Sequence, residues 1–203
     1  IRCVAKYLYD NGIVKKDVMT IETLSGIKTV QVHTQNGSVY SVKVDMGKAE
    51  LAPSKIPVLL PGESIINEPV EIGGRSYNIT CVSMGNPHAV VFWDELDSLN
   101  IAEIGPLFEH HELFPDRVNT EFVKVIDRNT IRMRVWERGS GETLACGTGA
   151  CAAAVAAVLN GYCDKGKDIR VLLLGGELII RYTDETVFMT GDCSKVFEGV
   201  VEI

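Results

Sequence analysis

Period-two alternation of apolar and polar residues predicts strands over 18–24, 27–34 and 39–45, and again over 169–174, 177–183 and 186–190. Further short strand-like runs fall at 69–72, 76–82, 89–93, 120–126 and 130–136. Helical signals are confined to three places. A helix is expected over 1–12, an amphipathic stretch spans 100–111, and 150–159 is apolar on every side and mostly alanine. A helix with no polar face must be buried all round, and small side chains let other backbone approach it closely. A curved sheet enclosing it would satisfy both demands. The Pro-rich stretch 51–66 reads as a surface connection between halves.

Offsetting the chain by 149 positions exposes an internal repeat. Ala5, Asn11 and Gly12 fall on Ala154, Asn160 and Gly161, and Leu24 and Gly26 fall on Leu173 and Gly175. Each copy reads as a helix stopped by Asn-Gly and followed by an antiparallel meander. The identities are few; the shared order of elements is what favours a duplication.

Composition narrows the classes. A hydrophobic content of 46% with 23% charged residues describes an ordinary globular chain. A net charge of −7 with scattered Lys and Arg argues against nucleic acid or an anionic membrane as partner. The longest apolar run, 151–159, is far too short to span a bilayer. No signal-peptide pattern is visible, and the chain opens Ile1-Arg2-Cys3 without an initiator Met. The six cysteines show no CxxC pair and no zinc spacing, which favours reduced, mostly buried thiols in a cytoplasmic protein and no metal site.

The sharpest chemical candidate is Cys146, flanked by small residues where the chain enters the alanine helix. A thiol at a helix N-terminus is expected to ionise more readily than usual. The backbone N–H groups of Gly147, Thr148 and Gly149 are free of intrahelical partners there and can hold an anion beside the sulfur. The turn Ser83-Met-Gly-Asn86-Pro-His88 displays an amide and an imidazole between two apolar strands; taken alone, it reads first as an ordinary β-turn with a solvated His. Glu137-Arg138 closes another strand, eight or nine residues before Cys146. Arg138 suits a bidentate carboxylate clamp, and Glu137 suits proton exchange or orientation of a neighbour. Asn119 is a lone polar residue at the head of a strand.

Together, Gly85-Asn86-Pro87-His88, Glu137-Arg-Gly-Ser-Gly-Glu142-Thr and Ala145-Cys-Gly-Thr-Gly-Ala-Cys151 resemble the diaminopimelate epimerase family. So do the opening Ile1-Arg2-Cys3, Thr190-Gly and Phe197-Glu-Gly-Val, so the resemblance extends over essentially the whole chain. It implies an α/β (α+β) fold of two pseudo-twofold-related halves, each a curved mixed or antiparallel sheet wrapped around a central helix. The halves would be 1–50, the remainder of an N-terminal half, and 51–190, with the active-site helix at 148–160. The last segment, 191–203, would return as a strand to the N-terminal half.

The implied reaction is cofactor-independent inversion at one α-carbon, interconverting LL- and meso-diaminopimelate with two acid/base cysteines. It would serve lysine and peptidoglycan precursor synthesis. By resemblance, Cys146, Glu137 and His88 are catalytic: Cys146 is one thiol, and His88 with Glu137 supports proton exchange. Asn86, Asn119, Glu137, Arg138, Gly147 and Thr148 bind substrate, with Arg138 on the distal carboxylate. Neither cofactor nor metal is implied, and the partner is a small amino acid, with a homodimer left open. The family's first catalytic cysteine falls four positions before Ile1, where the repeat also places a partner for Cys146. Residues 1–203 alone are therefore expected not to epimerise with normal efficiency. Two alternatives stay open: a proline- or histidine-type racemase of the same two-cysteine plan, and a fold relative without activity.

Overall fold

The computed structural model describes residues 1–202. The chain is an α/β protein of two compact units: Ile1–Asp45 with the segment from Thr190 onward, and Met46–Met189. In the smaller unit, α1 (Arg2–Asp10) packs on an antiparallel meander of β1 (Val18–Thr23), β2 (Gly26–Gln35) and β3 (Ser38–Gly47). Alternation puts Val30 and Val32 of β2 and Val42 and Val44 of β3 into its core with Ala5 of the helix. The end of α1 is tied to β3 by Asp10, whose Oδ1 accepts the Val39 N–H at 2.9 Å. The returning segment joins the same strand, the Cys193 N–H donating to Tyr40 O at 3.3 Å.

The larger unit holds β4 (Glu68–Ile72), β5 (Arg75–Ser83), β6 (Pro87–Phe92), β7 (Asn119–Asp127), β8 (Thr130–Glu137), β9 (Gly141–Thr143), β10 (Asp168–Leu173) and β11 (Gly176–Tyr182). Its strands run side by side in the order β11-β10-β8-β7-β6-β5-β4, with β9 on β8. β12 (Val187–Asp192) follows β11 and crosses the unit boundary. Pairing is antiparallel except at β6/β7 and β8/β10. Parallel neighbours need a long crossover, and these two contain α2 (Ile101–Glu109) and α3 (Gly147–Leu159). The alanine helix α3 packs against strands β5 to β8, β10 and β11, and Gly149–Ala157 are buried throughout. Its enclosure by sheet follows from the absence of a polar face. α2 carries Phe108 into a separate apolar cluster, edge-on to Phe122 at 5.7 Å. Burying two such rings is worth about 1.5–3 kcal/mol each.

The repeat is visible in the helix ends. Asn11 and Asn160 cap α1 and α3 with matching dihedrals, φ −89°, ψ 5° and φ −87°, ψ 2°. Each amide donates to the carbonyl four residues earlier at 2.8 Å. Gly12 and Gly161 follow at φ +69° and +75°, where a side chain would be strained.

Two expectations need correction. The 51–66 stretch is not a surface connection: Ile56, Val58 and Ile65 sit in the core of the larger unit, and Ile65 O accepts the Cys81 N–H at 3.0 Å. Proline signals turns, and the apolar residues between those turns here face inward. Nor is 191–203 a strand throughout: β12 ends at Asp192, and residues 194–202 are exposed and form no strand. No helix among the described residues is long and apolar enough to cross a membrane.

Candidate active site

The parallel pairing of β6 and β7 sets His88 opposite Asn119 and places Glu121 two residues further along β7. The turn into β6 bends at Gly85 (φ +99°), whose N–H donates to Ser83 Oγ at 3.2 Å, and so carries Asn86 beside His88. His88 is wholly buried, and both ring nitrogens are engaged: Nδ1 lies 2.7 Å from Glu121 Oε1, and Nε2 lies 3.1 Å from Asn86 Oδ1. Asn86 Nδ2 in turn donates to Thr148 Oγ1 at 3.2 Å, and that hydroxyl stands 3.6 Å from Cys146 Sγ. A continuous polar chain thus runs from Glu121 through His88, Asn86 and Thr148 to the thiol.

Cys146 is the N-cap of α3, extended at φ −129°, ψ 112°, and its sulfur accepts the Gly149 N–H at 3.3 Å. Of the three N–H groups expected to cradle an anion, Gly149 is therefore committed to the sulfur. Those of Gly147 and Thr148 remain at the open end of the helix. Close approach dictates glycine at 149: a Cβ there would stand 2.6 Å from Glu121 Oε1 and 3.2 Å from Cys146 Sγ.

The ionisation expected of Cys146 is reversed. Burial, followed by the charge of Glu121, pushes this thiol up to about 12, and the charge of Glu137 adds to the rise. Hydrogen bonds from Thr148 and Gly149 pull the other way without prevailing. The helix N-terminus was the only contribution legible in the sequence, and enclosure by sheet outweighs it.

The remaining candidates surround the turn after β8. Glu137 is half-buried and accepts a short hydrogen bond from Thr143 on β9. Asn119 is buried and acts as a strut, donating from Nδ2 to Pro87 O at 3.0 Å and accepting the Arg138 N–H at 2.9 Å. It holds the turn bearing Asn86 to the turn bearing Arg138, a tie that its bare sequence context did not disclose. The Arg138 guanidinium is exposed and donates to Asp116 O at 2.7 Å, apart from the chain ending at Cys146. Sequence reasoning missed Glu121 and Glu109. Glu109, buried at the end of α2, accepts from Trp136 Nε1 at 2.7 Å and from the Gly139 N–H at 2.9 Å, anchoring the same turn. The available signal was an acid inside an apolar run, Thr120-Glu121-Phe122-Val123.

The sequence profile of the diaminopimelate epimerase family matches residues 80–196, the span that contains this constellation. A diaminopimelate epimerase of Acetivibrio thermocellus is 53% identical over 205 residues, covering 100% of this chain and 72% of the relative. This chain belongs to the diaminopimelate epimerase family. The diaminopimelate epimerase of Methanococcus maripaludis strain S2 is 51% identical over 205 residues, covering 100% of this chain and 73% of that protein. Among solved structures, a probable proline racemase from Agrobacterium radiobacter superposes with a TM-score of 0.69 at 16% identity. A hydroxyproline epimerase from Agrobacterium vitis does so with a TM-score of 0.69 at 14% identity. Both matches cover 94% of this diaminopimelate epimerase family chain, which spans 63% and 61% of those proteins. At such identities they establish a shared fold.

Proposed function

We propose that this protein interconverts LL- and meso-diaminopimelate without a cofactor, with Cys146 as one of two acid/base thiols on opposite faces of the α-carbon. The observation that carries the reading is Cys146 capping α3 at the end of the hydrogen-bonded chain through Thr148, Asn86 and His88. A thiolate on one face takes the α-proton, the Cα–H electron pair passes into the substrate carboxylate, and a thiol on the other face returns a proton to the carbon. A thiol pushed up to about 12 rests protonated, so Cys146 enters the cycle as donor and becomes the base in the reverse direction. The N–H groups of Gly147 and Thr148 face the negative charge that develops on the carboxylate, where one such donor is worth roughly 3–4 kcal/mol.

His88 and Glu137 flank the proton exchange, and Asn86, Asn119 and Arg138 select the distal amino acid end, with the Arg138 guanidinium available to its carboxylate. Membership in the family at about half identity favours diaminopimelate over proline or histidine as substrate. The product would feed lysine and peptidoglycan precursors in the cytoplasm, a compartment suited to six free cysteines.

The test is solvent deuterium incorporation at the α-carbon, without added cofactor, by protein containing residues 1–203. Diaminopimelate, proline and histidine are compared, with Cys146→Ala as control. Incorporation into diaminopimelate alone, abolished by the substitution, is the expected result. Preference for proline or histidine, or exchange that survives loss of Cys146, refutes the reading.

A further inference from the structure

Glu121 has no role in the scheme above, yet it is among the most enclosed charged residues of the larger unit. Its side chain is wholly buried on β7. Only Oε1 has a partner, His88 Nδ1, and Oε2 has no hydrogen-bond partner among the described residues. A buried carboxylate with one bare oxygen is costly, because the unmatched oxygen has given up its water for nothing. A hydrophobic residue would fill the same space without that penalty. Oε1 also lies 2.6 Å from the point where a Gly149 Cβ would stand, and Cys146 Sγ lies 3.2 Å from that same point. The carboxylate and the thiol thus border the same small space, which only a residue without a side chain leaves open.

We propose that Glu121, anchored through Oε1 by His88, is a positioning residue for the two-thiol reaction whose carboxylate keeps Cys146 in its protonated, proton-donating form. The groups facing the thiol are few. Glu121 lies on β7, Glu137 at the end of β8, Thr148 and Cys151 on α3, and His88 reaches it through Asn86. Glu121 also faces Cys81 on β5, and its charge raises that thiol too. After burial, the Glu121 charge is the largest influence raising Cys146. Both groups are buried beside Gly149, where charges are poorly screened, so the field of the carboxylate reaches the sulfur. A resting thiolate at Cys146 would leave no proton to deliver. The acid beneath it guards against that state.

This rests on reading Cys146 as a proton-exchanging thiol, and its test requires no turnover, so the two can fail separately. Alkylation of Cys146 by iodoacetamide, followed by peptide mass spectrometry between pH 7 and 9.5, reports the thiolate fraction. In Glu121→Gln, which keeps the shape and removes the charge, Cys146 should alkylate about tenfold faster at pH 9, with the profile displaced to lower pH. Glu121→Asp, which restores the charge, should return the profile toward that of the unaltered protein; a neutral packing role for Glu121 predicts no such rescue. An unchanged Cys146 profile in a folded Glu121→Gln protein overturns the proposal. If neither variant folds, the unaltered protein still decides. Its Cys146 rate should climb throughout the range, and a plateau below pH 9 overturns the proposal.

Discussion

Replacing Gly149 by alanine sets helix propensity directly against the packing under Cys146. Gly149 lies in the first turn of α3, where Gly→Ala ordinarily stabilises by about 0.8–1 kcal/mol. The new methyl would stand 2.6 Å from Glu121 Oε1 and 3.2 Å from both Cβ and Sγ of Cys146. Ordinary contact begins at about 3.5 Å, so the carboxylate must retreat by roughly 0.9 Å. Glu121 is fully enclosed and its Oε1 is held by His88 at 2.7 Å, so a retreat of that size distorts or breaks the bond or forces its neighbours aside. Losing a hydrogen bond to a charged group costs about 1.5–3 kcal/mol, and overpacking of a filled site costs about 1–3 kcal/mol. These overlap, and the propensity gain offsets about one unit of them. Net destabilisation of about 1–3 kcal/mol follows, read as a lower urea midpoint at unchanged slope. The sign is the test: a midpoint raised by the amount that propensity alone supplies would refute the close approach of Glu121 to α3.

Two further predictions concern struts and thiols. Asn119→Leu removes the tie between the turns of Asn86 and Arg138 and leaves Pro87 O and the Arg138 N–H without their partner, so the urea midpoint should fall by the equivalent of about 2–4 kcal/mol. An unaltered midpoint would show that the tie carries no load. Burial pushes Cys81 and Cys146 up to about 12, and Cys151 higher still. Above about pH 9 the unfolded chain therefore sheds thiol protons that the folded chain keeps, so these groups stabilise fully below that pH and progressively less up to about pH 12. Each costs up to about 1.4 kcal/mol per pH unit in that window. Unfolding midpoints at pH 8 and pH 10 should differ accordingly, with a smaller fall in Cys81→Ala; equal midpoints would contradict the burial of these thiols.

Strands, helices and the duplicated helix ends were legible in the sequence, because alternation, an all-apolar alanine run and Asn-Gly stops are local consequences of local chemistry. The ranges 18–24 and 169–174 settled as β1 and β10, and Asn11 and Asn160 cap with nearly equal dihedrals. Cys146 at a helix entrance, His88 in its turn and the Glu137-Arg138 pair were equally visible, and the matching motifs pointed to the family. Tertiary structure alone decided what depends on partners distant in the chain. The 51–66 stretch is core because Ile56 and Ile65 meet strands that follow them. Asn119 is a strut because parallel β6 and β7 bring Pro87 within reach. Glu121 reaches the thiol only because β7 passes beneath α3, and there burial, followed by its charge, pushes Cys146 up against the bias of its own helix. A helix terminus acts over one turn of backbone; desolvation sums over every element that closes around the sulfur, and the fold supplies those elements.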